Sequence, residues 1–269
     1  MNAMTPEAAV IVNPFWMRDA LPAPFRTVFT TRIAGTSNGL YESLNLGLHV
    51  GDDPRRVREN RKLVMGALGL DSGQAVVAQQ IHGATAALVG SAEAGRGSFS
   101  HADAIEGVDA LVTRERKLPL MCLNADCLLI ALADPQAKVL AVIHAGWRGL
   151  AKGVIESTLA TMRDAGASLR NLHAAGSPAI GPCCFEVGAE VLDSLGAAHA
   201  IQAEGKKALF DLRSAARQKL EAHGLASENI VLDPACTCCR DDQFFSHRRV
   251  TRGEKKQQTG RMALIAWIE

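Results

Sequence analysis

The sequence has no marked excess of either charge, because 29 lysines and arginines stand against 28 aspartates and glutamates. A general nucleic-acid binder needs a basic surface to hold the phosphate backbone, so this balance argues against that class and leaves room only for a local basic pocket. The first 20 residues lack a basic stretch followed by a long apolar one, and no later apolar run is long enough to span a membrane. We therefore expect a cytoplasmic protein that binds neither nucleic acid nor a membrane.

The seven cysteines lack the pattern of a disulfide framework, since their number is odd and they stand in tight groups. The groups are Cys122 with Cys127, Cys183 with Cys184, and Cys236 with Cys238 and Cys239. Reduced thiols are expected in a cytoplasmic protein. Each group is therefore a candidate for metal binding or catalysis.

No repeat, heptad run or long linker divides the chain, and 269 residues that are 48% hydrophobic can bury a full core. We expect an N-terminal segment over residues 1–23 and a single catalytic domain over residues 24–269. Apolar periodicity predicts strands alternating with helices, which is typical of a mixed α/β fold with a sheet layered by helices. The predicted strands include 25–31, 76–81, 111–113, 172–180 and 262–268, and the predicted helices are 53–68, 149–166, 186–195 and 209–223.

Two continuous apolar runs, residues 118–133 and 139–144, predict buried strands joined by the turn sequence Asp-Pro-Gln-Ala. Paired residues of an antiparallel hairpin have a constant summed number, and a turn centred on that sequence pairs Cys127 with His144. Opposed Cβ atoms lie about 5 Å apart, a distance that a tetrahedral zinc ion can bridge.

His82 is the candidate third ligand, because it ends the predicted strand 76–81 and precedes a glycine. Three protein ligands leave one open coordination position, which is typical of a catalytic zinc site rather than a structural one. Taken singly, each residue also has a structural interpretation, as a hydrogen-bonded histidine or a small core cysteine. A thiol hydrolase with Cys127 as nucleophile and His144 or His82 as base is a further alternative.

Asn124 and Asp126 interrupt an otherwise apolar strand, where an unpaired polar group costs roughly 1–3 kcal/mol. Asp126 is a candidate general acid or base, with a hydrogen-bonded cap at a strand break as its alternative. After His144 the chain enters a glycine-flanked helix, so free backbone N–H groups and Arg148 form a candidate anion site. Arg148 covering Trp147 on the surface is the alternative there.

The motifs QQIHGA, NADC, VIHAGWRG, AIGPCCFEVG, FFSHRR and TGRMALIAWIE, with SLNLG and ENR upstream, resemble the YfiH/PgeF family, also called the laccase-domain or polyphenol oxidase family. The likeness extends from Arg32 to Ile268. It implies a single α/β domain with a zinc ion on His82, Cys127 and His144. It also implies purine nucleoside phosphorylase activity on adenosine, inosine and methylthioadenosine, with adenosine deaminase activity. Some members are instead described as copper-dependent polyphenol oxidases, and bacterial ones as peptidoglycan editing factors.

The chain departs from the family pattern at His247 and Phe185, where the family usually has tyrosine. Any contact that needs a hydroxyl group at those two positions is therefore in doubt. The family carries only the first two residues of the CTCC run. We accordingly interpret Cys238 and Cys239, with Cys236, as structural.

Zinc would activate water for deamination or orient phosphate for phosphorolysis, with Asp126 handling the proton. The candidate phosphate ligands are Arg61, Arg148 and Arg248, and Asn45 is a candidate for binding the ribose or base. Copper is the weaker alternative, because multicopper oxidases need many histidine ligands and the eight present are scattered without an H-x-H pair. A structural zinc in a protein that edits peptidoglycan precursors is a non-catalytic alternative. The sequence does not predict the oligomeric state.

Overall fold

The computed structural model describes residues 14–204, 207–252 and 258–269. These residues form fourteen strands and six α-helices. The strands are β1 Phe15–Arg18, β2 Phe25–Thr30, β3 Val76–Val77, β4 Ala86–Leu88, β5 Ala110–Thr113, β6 Leu120–Asn124, β7 Leu128–Asp134, β8 Val139–Ala145, β9 His173–Gly176, β10 Glu186–Gly188, β11 Ala200–Glu204, β12 Lys207–Phe210, β13 Ile230–Leu232 and β14 Met262–Ile268. The helices are α1 Pro54–Ala67, α2 Trp147–Lys152, α3 Val154–Asp164, α4 Ala189–Leu195, α5 Leu212–Ala222 and α6 His247–Thr251.

Two mixed sheets form the centre of the fold, one in the order β1-β2-β14-β6-β3 and the other in the order β13-β9-β7-β8-β5-β4. A third, smaller sheet has the order β10-β12-β11. The two large sheets pack against each other through one buried cluster, to which β6 and β14 contribute from one side and β7 and β8 from the other. Helix α1 covers the outer face of the first sheet, and α3 and α5 cover the outer face of the second. The result is a sandwich of four layers, helix on sheet on sheet on helix.

The predicted mixed α/β fold is confirmed, with its strands divided among more than one sheet. Predicted strands 25–31, 111–113 and 262–268 correspond to β2, β5 and β14. Helix α1 begins where the Asp-Pro pair predicts, since the Asp53 carboxylate accepts a hydrogen bond from the backbone N–H of Arg55 at 2.9 Å. Within the segment before residue 24, residues 15–18 form β1 at the edge of the first sheet, and residues 1–13 lie outside the described part.

The apolar run 118–133 forms two strands rather than one, because the chain bends at residues 125–127. Strand β6 belongs to the first sheet and β7 to the second, so this bend carries the chain from one sheet to the other.

The hairpin of β7 and β8 is present, but the predicted pairing of Cys127 with His144 is wrong, since His144 pairs with Leu129. The loop includes Lys138, which has a φ of 55° and donates its N–H to the Asp134 carbonyl at 2.9 Å. This extra turn residue moves the register by two positions. Because side chains alternate with a period of two, Cys127 stays on the same face as predicted.

Several predicted boundaries are also corrected by local chemistry. Strand β3 ends at Val77, since the Gln80 side chain bonds the backbone of Leu123 at 2.7 and 2.8 Å in place of continued strand pairing. The predicted helix 149–166 is divided into α2 and α3 at Gly153, which has a φ of 91°. The predicted helix 186–195 begins as strand β10, and the helix predicted from 209 begins at Leu212 after its Asp211 cap. The predicted strand 172–180 ends at Gly176, two residues before Pro178.

Among the described residues, no helix combines the length and the apolar character that crossing a bilayer requires.

Candidate metal centre

The three predicted ligands meet at one edge of the sandwich. His82 lies in the loop after β3, Cys127 in the bend between β6 and β7, and His144 near the end of β8. Their donor atoms lie within 4.8 Å of one another, and His82 Nε2 is 4.0 Å from Cys127 Sγ. His144 is buried, Cys127 is half-buried and His82 is exposed, so the group is reached from one side.

The position of Cys127 depends on the sharp bend at Asp126, which has a φ of 101°. The Asp126 carboxylate accepts hydrogen bonds from the hydroxyls of Thr237 at 2.6 Å and Ser246 at 3.0 Å. It also accepts one from the backbone N–H of Arg248 at 2.7 Å. These bonds offset the cost of burying the carboxylate and hold the bend in its left-handed conformation. The predicted role of Asp126 in proton transfer stays a prediction.

Asp109, which the sequence analysis did not single out, organises both histidines. Its Oδ1 lies 2.7 Å from His144 Nδ1, and this oxygen also accepts the backbone N–H of His82 at 3.0 Å. Its Oδ2 accepts the backbone N–H groups of Gly83 at 2.6 Å and Ile81 at 3.2 Å. His82 has a φ of 57°, a conformation that is unfavourable for a residue with a side chain. The fully buried carboxylate therefore fixes the ring of one ligand and the backbone of another.

Electrostatics couple Cys127 to His144. Burial favours the neutral thiol, but the charge of His144 and hydrogen bonds from both histidines outweigh it and lower the pKa of Cys127 to about 6. Burial likewise opposes the charged form of His144, while the Cys127 thiolate and Asp109 raise its pKa to about 9. The pair therefore exists as thiolate and imidazolium at neutral pH when no metal is bound. Asp109, with a lowered pKa, stays ionised.

The donor set fits a metal ion such as zinc, since two imidazoles and one thiolate are ordinary zinc ligands and three protein ligands leave one position open. The Asp109 carboxylate behind His144 is the outer support that metal-bound histidines commonly have. Gly146 keeps space beside the donors, because a Cβ atom there would lie 2.9 Å from Cys127 Sγ.

Two cavities of about 250 and 370 Å³ meet at this centre. They share four wall residues, which are His82, Ala125, Cys127 and His247. A molecule held at the open metal position can therefore extend into both.

The first cavity is lined by polar groups. His49 and His101 lie with ring centroids 5.0 Å apart, and Arg261 lies on the same wall. Desolvation and Arg261 lower the pKa of His49 to about 4, and desolvation and Arg61 lower the pKa of His101. Both imidazoles are therefore neutral at pH 7, whereas Arg261 is a cation on the same wall.

Arg261 donates through Nη1 to the carbonyls of Thr259 at 2.8 Å and Gly260 at 3.1 Å. Its Nε and Nη2 have no hydrogen-bond partner among the described residues. Asn124 is similar: its Nδ2 donates to the Cys127 carbonyl at 2.5 Å, while its buried Oδ1 has no partner in the described part of the chain. The first cavity thus contains the Arg261 donors that a ligand can use, while the Asn124 oxygen is buried behind its wall.

The second cavity has two aromatic residues, Trp147 and Phe185, on its walls. Arg148 and Arg248, two of the predicted site residues, line it as well. The Arg148 guanidinium lies 4.2 Å from the centre of the Trp147 ring, and Arg248 Nη1 donates to the Glu186 carbonyl at 2.8 Å.

Asn45 and Arg61 are not among the residues that line either cavity. The Asn45 side chain is fully buried, and its Oδ1 accepts the backbone N–H groups of Gly47 and Arg261, both at 2.9 Å. Arg61 is buried and donates to three backbone carbonyls, those of Leu46, Gly97 and Ser98. From these positions both residues support the loops around the centre, and Asn45 sets the backbone of Arg261.

Sequence reasoning missed four residues of the site, which are His49, His101, Asp109 and Arg261. Asp109 carried a usable signal, since it is an ionisable residue directly before the apolar strand β5. The other three come from separate loops. Arg261 belongs to the TGRMA motif, and His49 and His101 carried no signal in the sequence. The eight histidines are scattered along the sequence, yet five of them line the first cavity.

Residues 26–269 match the protein family described as multi-copper polyphenol oxidoreductase laccase. The chain is 36% identical to a purine nucleoside phosphorylase of Corynebacterium glutamicum, Cgl2154/cg2365, over 91% of this chain and 95% of that protein. It is also 36% identical to adenosine deaminase RL5 from an unknown prokaryotic organism, over 86% of this chain and 91% of that one. The crystal structure of a Bacillus licheniformis hypothetical protein, YfiH, is similar with a TM-score of 0.87 and 31% identity, covering 96% of this chain and all of that one.

Proposed function

The chain belongs to the family described as multi-copper polyphenol oxidoreductase laccase, and on that basis we propose that it is a zinc-dependent purine nucleoside phosphorylase with adenosine deaminase activity. The proposed substrates are adenosine, inosine and methylthioadenosine, with phosphate as the second substrate of phosphorolysis. The observation that carries the proposal is a set of three zinc-type donors placed where two cavities meet, one containing Arg261 and the other Trp147 and Phe185.

His82, Cys127 and His144 would hold the zinc, which when bound supplies Lewis acidity toward an oxygen of water or phosphate. Asp109 retains a proton on Nδ1 of His144, so that Nε2 is the nitrogen available to the metal. Copper is the weaker alternative, because within the described residues only this one cluster includes histidine, and it has two.

We place phosphate in the first cavity and the purine in the second. Arg261 offers an anion two nitrogen groups that have no partner in the described chain, beside the neutral imidazoles of His49 and His101. Trp147 and Phe185 offer ring faces to a planar base. Arg148 and Arg248 border this second cavity and remain candidate ligands for the ribose or for phosphate. The bond between ribose and base would then lie beside the metal.

Asp126 and His247 are the groups through which we propose that a proton from solvent reaches the departing purine. Asp126 accepts three hydrogen bonds, so its first function is to hold the bend. Burial and Arg261 lower the pKa of His247, and its neutral imidazole lines both cavities with one donor and one acceptor nitrogen. A neutral histidine can accept a proton at one ring nitrogen and donate one from the other, and so pass a proton between the region of the Asp126 carboxylate and a bound base.

The test is to incubate the zinc-loaded protein with adenosine, with and without phosphate, and to separate the products. We expect adenine and ribose 1-phosphate when phosphate is present, and inosine from deamination in either case. His82→Ala should abolish both reactions. Absence of all three products from the zinc-loaded protein contradicts the proposal.

A second candidate is a cysteine hydrolase, because Cys127, His144 and Asp109 also form a chain of thiolate, imidazolium and carboxylate. The lowered pKa of Cys127 suits a nucleophile. Such a chain needs one imidazole as base, whereas a metal ion uses both, which favours the metal interpretation. Activity that survives complete zinc removal by a chelator, yet is lost in Cys127→Ala, would support the hydrolase instead.

We also propose a cytoplasmic location, because seven free thiols suit a reducing compartment.

A further inference from the structure

A second group of sulfur atoms lies beside the second cavity and has no part in the proposed reaction. We call it the cysteine cluster, and it consists of Cys183, Cys184, Cys236 and Cys239. The four Sγ atoms lie within 4.8 Å of one another, and Cys239 Sγ is 3.5 Å from both Cys183 Sγ and Cys184 Sγ. A disulfide needs about 2.05 Å, whereas sulfurs around one tetrahedral zinc lie about 3.8 Å apart, given a Zn–S bond of about 2.3 Å. The spacing is that of a metal site.

The backbone around Cys236 supports a bound thiolate. The N–H of Gly181 donates to Cys236 Sγ at 3.1 Å. Residues 236–239 have the C-x-x-C spacing with which two cysteines of one turn reach the same zinc ion.

Gly181 permits the approach of the two segments that form the cluster. A Cβ atom at this position would lie 3.1 Å from Cys236 Cβ and 3.2 Å from Cys183 Sγ. Such contacts are tighter than side chains normally tolerate, so the absence of a side chain keeps the space among the sulfurs free.

Three arginines surround the cluster and hold its backbone. Arg252 donates to the Cys184 carbonyl at 2.9 Å and Arg249 to the Cys238 carbonyl at 3.1 Å. Arg213 donates to the Ala179 carbonyl at 3.1 Å, next to the Gly181 turn. Four thiolates around a divalent ion have a net charge of −2, which these guanidinium groups offset.

We propose that the cysteine cluster is a second metal site, which binds one zinc ion through four thiolates. An all-sulfur tetrahedral donor set selects soft ions, and zinc is the expected one. Binding releases the thiol protons to solvent and involves no oxidation or reduction. Cys183 and Cys239 are exposed, which gives the ion a path of entry.

The metal would connect two segments that position the catalytic centre. Thr237 lies between the cluster residues and donates to the Asp126 carboxylate at 2.6 Å. Phe185, next to Cys184, lies on the wall of the second cavity. A bound ion would therefore fix this wall relative to the bend that holds Cys127.

The test begins with a variant that lacks the other centre, His82→Ala with Cys127→Ala, purified in the presence of a reductant. We expect one zinc per chain by elemental mass spectrometry. Adding Cys183→Ser and Cys239→Ser should remove that zinc, whereas Cys238→Ser is the matched control and should leave it. Cys238 is a buried neighbour that does not belong to the group of four.

A cobalt(II) titration of the double variant, His82→Ala with Cys127→Ala, gives a second readout. It does not depend on whether the quadruple variant, with both serine substitutions added, folds. We expect the intense thiolate-to-cobalt absorption of a tetrahedral sulfur site, displaced by one equivalent of zinc. The proposal is overturned if the double variant contains no zinc and gives no such band. It is also overturned if zinc remains bound after both serine substitutions have been added. Neither measurement uses a nucleoside, so the result is independent of the proposed reaction.

Discussion

The His82–Cys127–His144 centre and the cysteine cluster lie on either side of the second cavity wall and differ in donors, surroundings and access. The first combines two nitrogens with one sulfur and opens onto both cavities. The second offers four sulfurs, and none of its residues lines either cavity. Three ligands leave a position for chemistry, whereas four complete the coordination of the ion. The difference teaches that ligand number and access, rather than the presence of cysteine, separate a reactive centre from a structural one.

Their supports differ in the same sense. The His82–Cys127–His144 centre is held by a buried carboxylate, Asp109, which adds negative charge behind an imidazole. The cysteine cluster is held by the backbone N–H of Gly181 and bordered by arginines, which offset the charge of thiolates. In each case the neighbouring groups have the charge opposite to that of the donors, a carboxylate behind an imidazole and guanidinium groups beside thiolates.

The largest expected effect comes from removing one sulfur from each site in turn. Cys127→Ala should lower kcat/KM for adenosine phosphorolysis about a thousandfold or more, because the metal contributes several kcal/mol to the barrier. Cys183→Ser should leave kcat within a small factor, since Cys183 does not line the cavities. Release of adenine measures both rates. Equal losses of activity in the two variants would contradict the proposal that only the first centre takes part in the reaction.

The dependence of zinc affinity on pH should differ between the sites. Without metal, His144 carries a proton on Nε2 up to its pKa of about 9, and zinc must displace it. Affinity at the catalytic centre should therefore rise about tenfold per pH unit between about pH 6 and 9, and more steeply below the pKa of Cys127 at about 6.

The cysteine cluster should show a steeper slope over the same range, because more than one thiol must ionise. Burial and neighbouring thiols raise the pKa of Cys184, for example, to about 12. Competition with a chromophoric chelator at several pH values measures each slope in the variant that retains only that site. Equal slopes would contradict the assignment of different protonation states to the two donor sets.

Asp109→Asn should weaken zinc binding at the catalytic centre about 10- to 100-fold, because the carboxylate orients His144 and increases its basicity. Asp134→Asn is the matched control. Asp134 is also fully buried in the second sheet and accepts backbone N–H groups, at 2.8 Å from Gln136 and 2.7 Å from Ser168. Both variants should lose stability, and only the first should lose affinity in a chelator competition. A similar loss of affinity in both would show a general effect of unfolding.

The smallest expected effect concerns the space beside the donors. Gly146→Ala places a Cβ atom 2.9 Å from Cys127 Sγ, and an overpacking cost of about 1 kcal/mol corresponds to about a fivefold loss of zinc affinity. Gly188→Ala is the control, because a Cβ atom there meets no atom within 4 Å. Calorimetric titration with zinc compares the two. Unchanged affinity in Gly146→Ala would mean that the loop relaxes at no cost.

The sequence predicted that His82, Cys127 and His144 come together better than it predicted how they are arranged. Turn chemistry located the β7–β8 hairpin, but Lys138 also adopts a left-handed conformation and lengthens the loop, so the register is shifted by two positions. The prediction that Cys127 and His144 lie together survived, because a shift of two leaves the face unchanged. Apolar runs also could not show that residues 118–133 divide between two sheets, since both halves are equally buried.

Residues that act through distant partners could not be predicted. Asp109 precedes His144 by 35 positions, and no periodicity connects a residue before one strand with a ring near the end of another. His49, His101 and Arg261 come together only because the loops at this edge of the sandwich converge. In the opposite direction, the polar character of Asn45 and Arg61 suggested ligand contact, whereas their buried hydrogen bonds serve neighbouring loops.

The bend at residues 125–127 has a consequence for how the protein matures. His82 follows a strand of the first sheet, His144 belongs to the second, and Cys127 lies where the chain crosses between them. A polypeptide with only one sheet formed has no complete set of donors, so the ion can be retained only after the two halves have docked. Uptake of a metal ion during refolding would therefore report the docking of the two sheets.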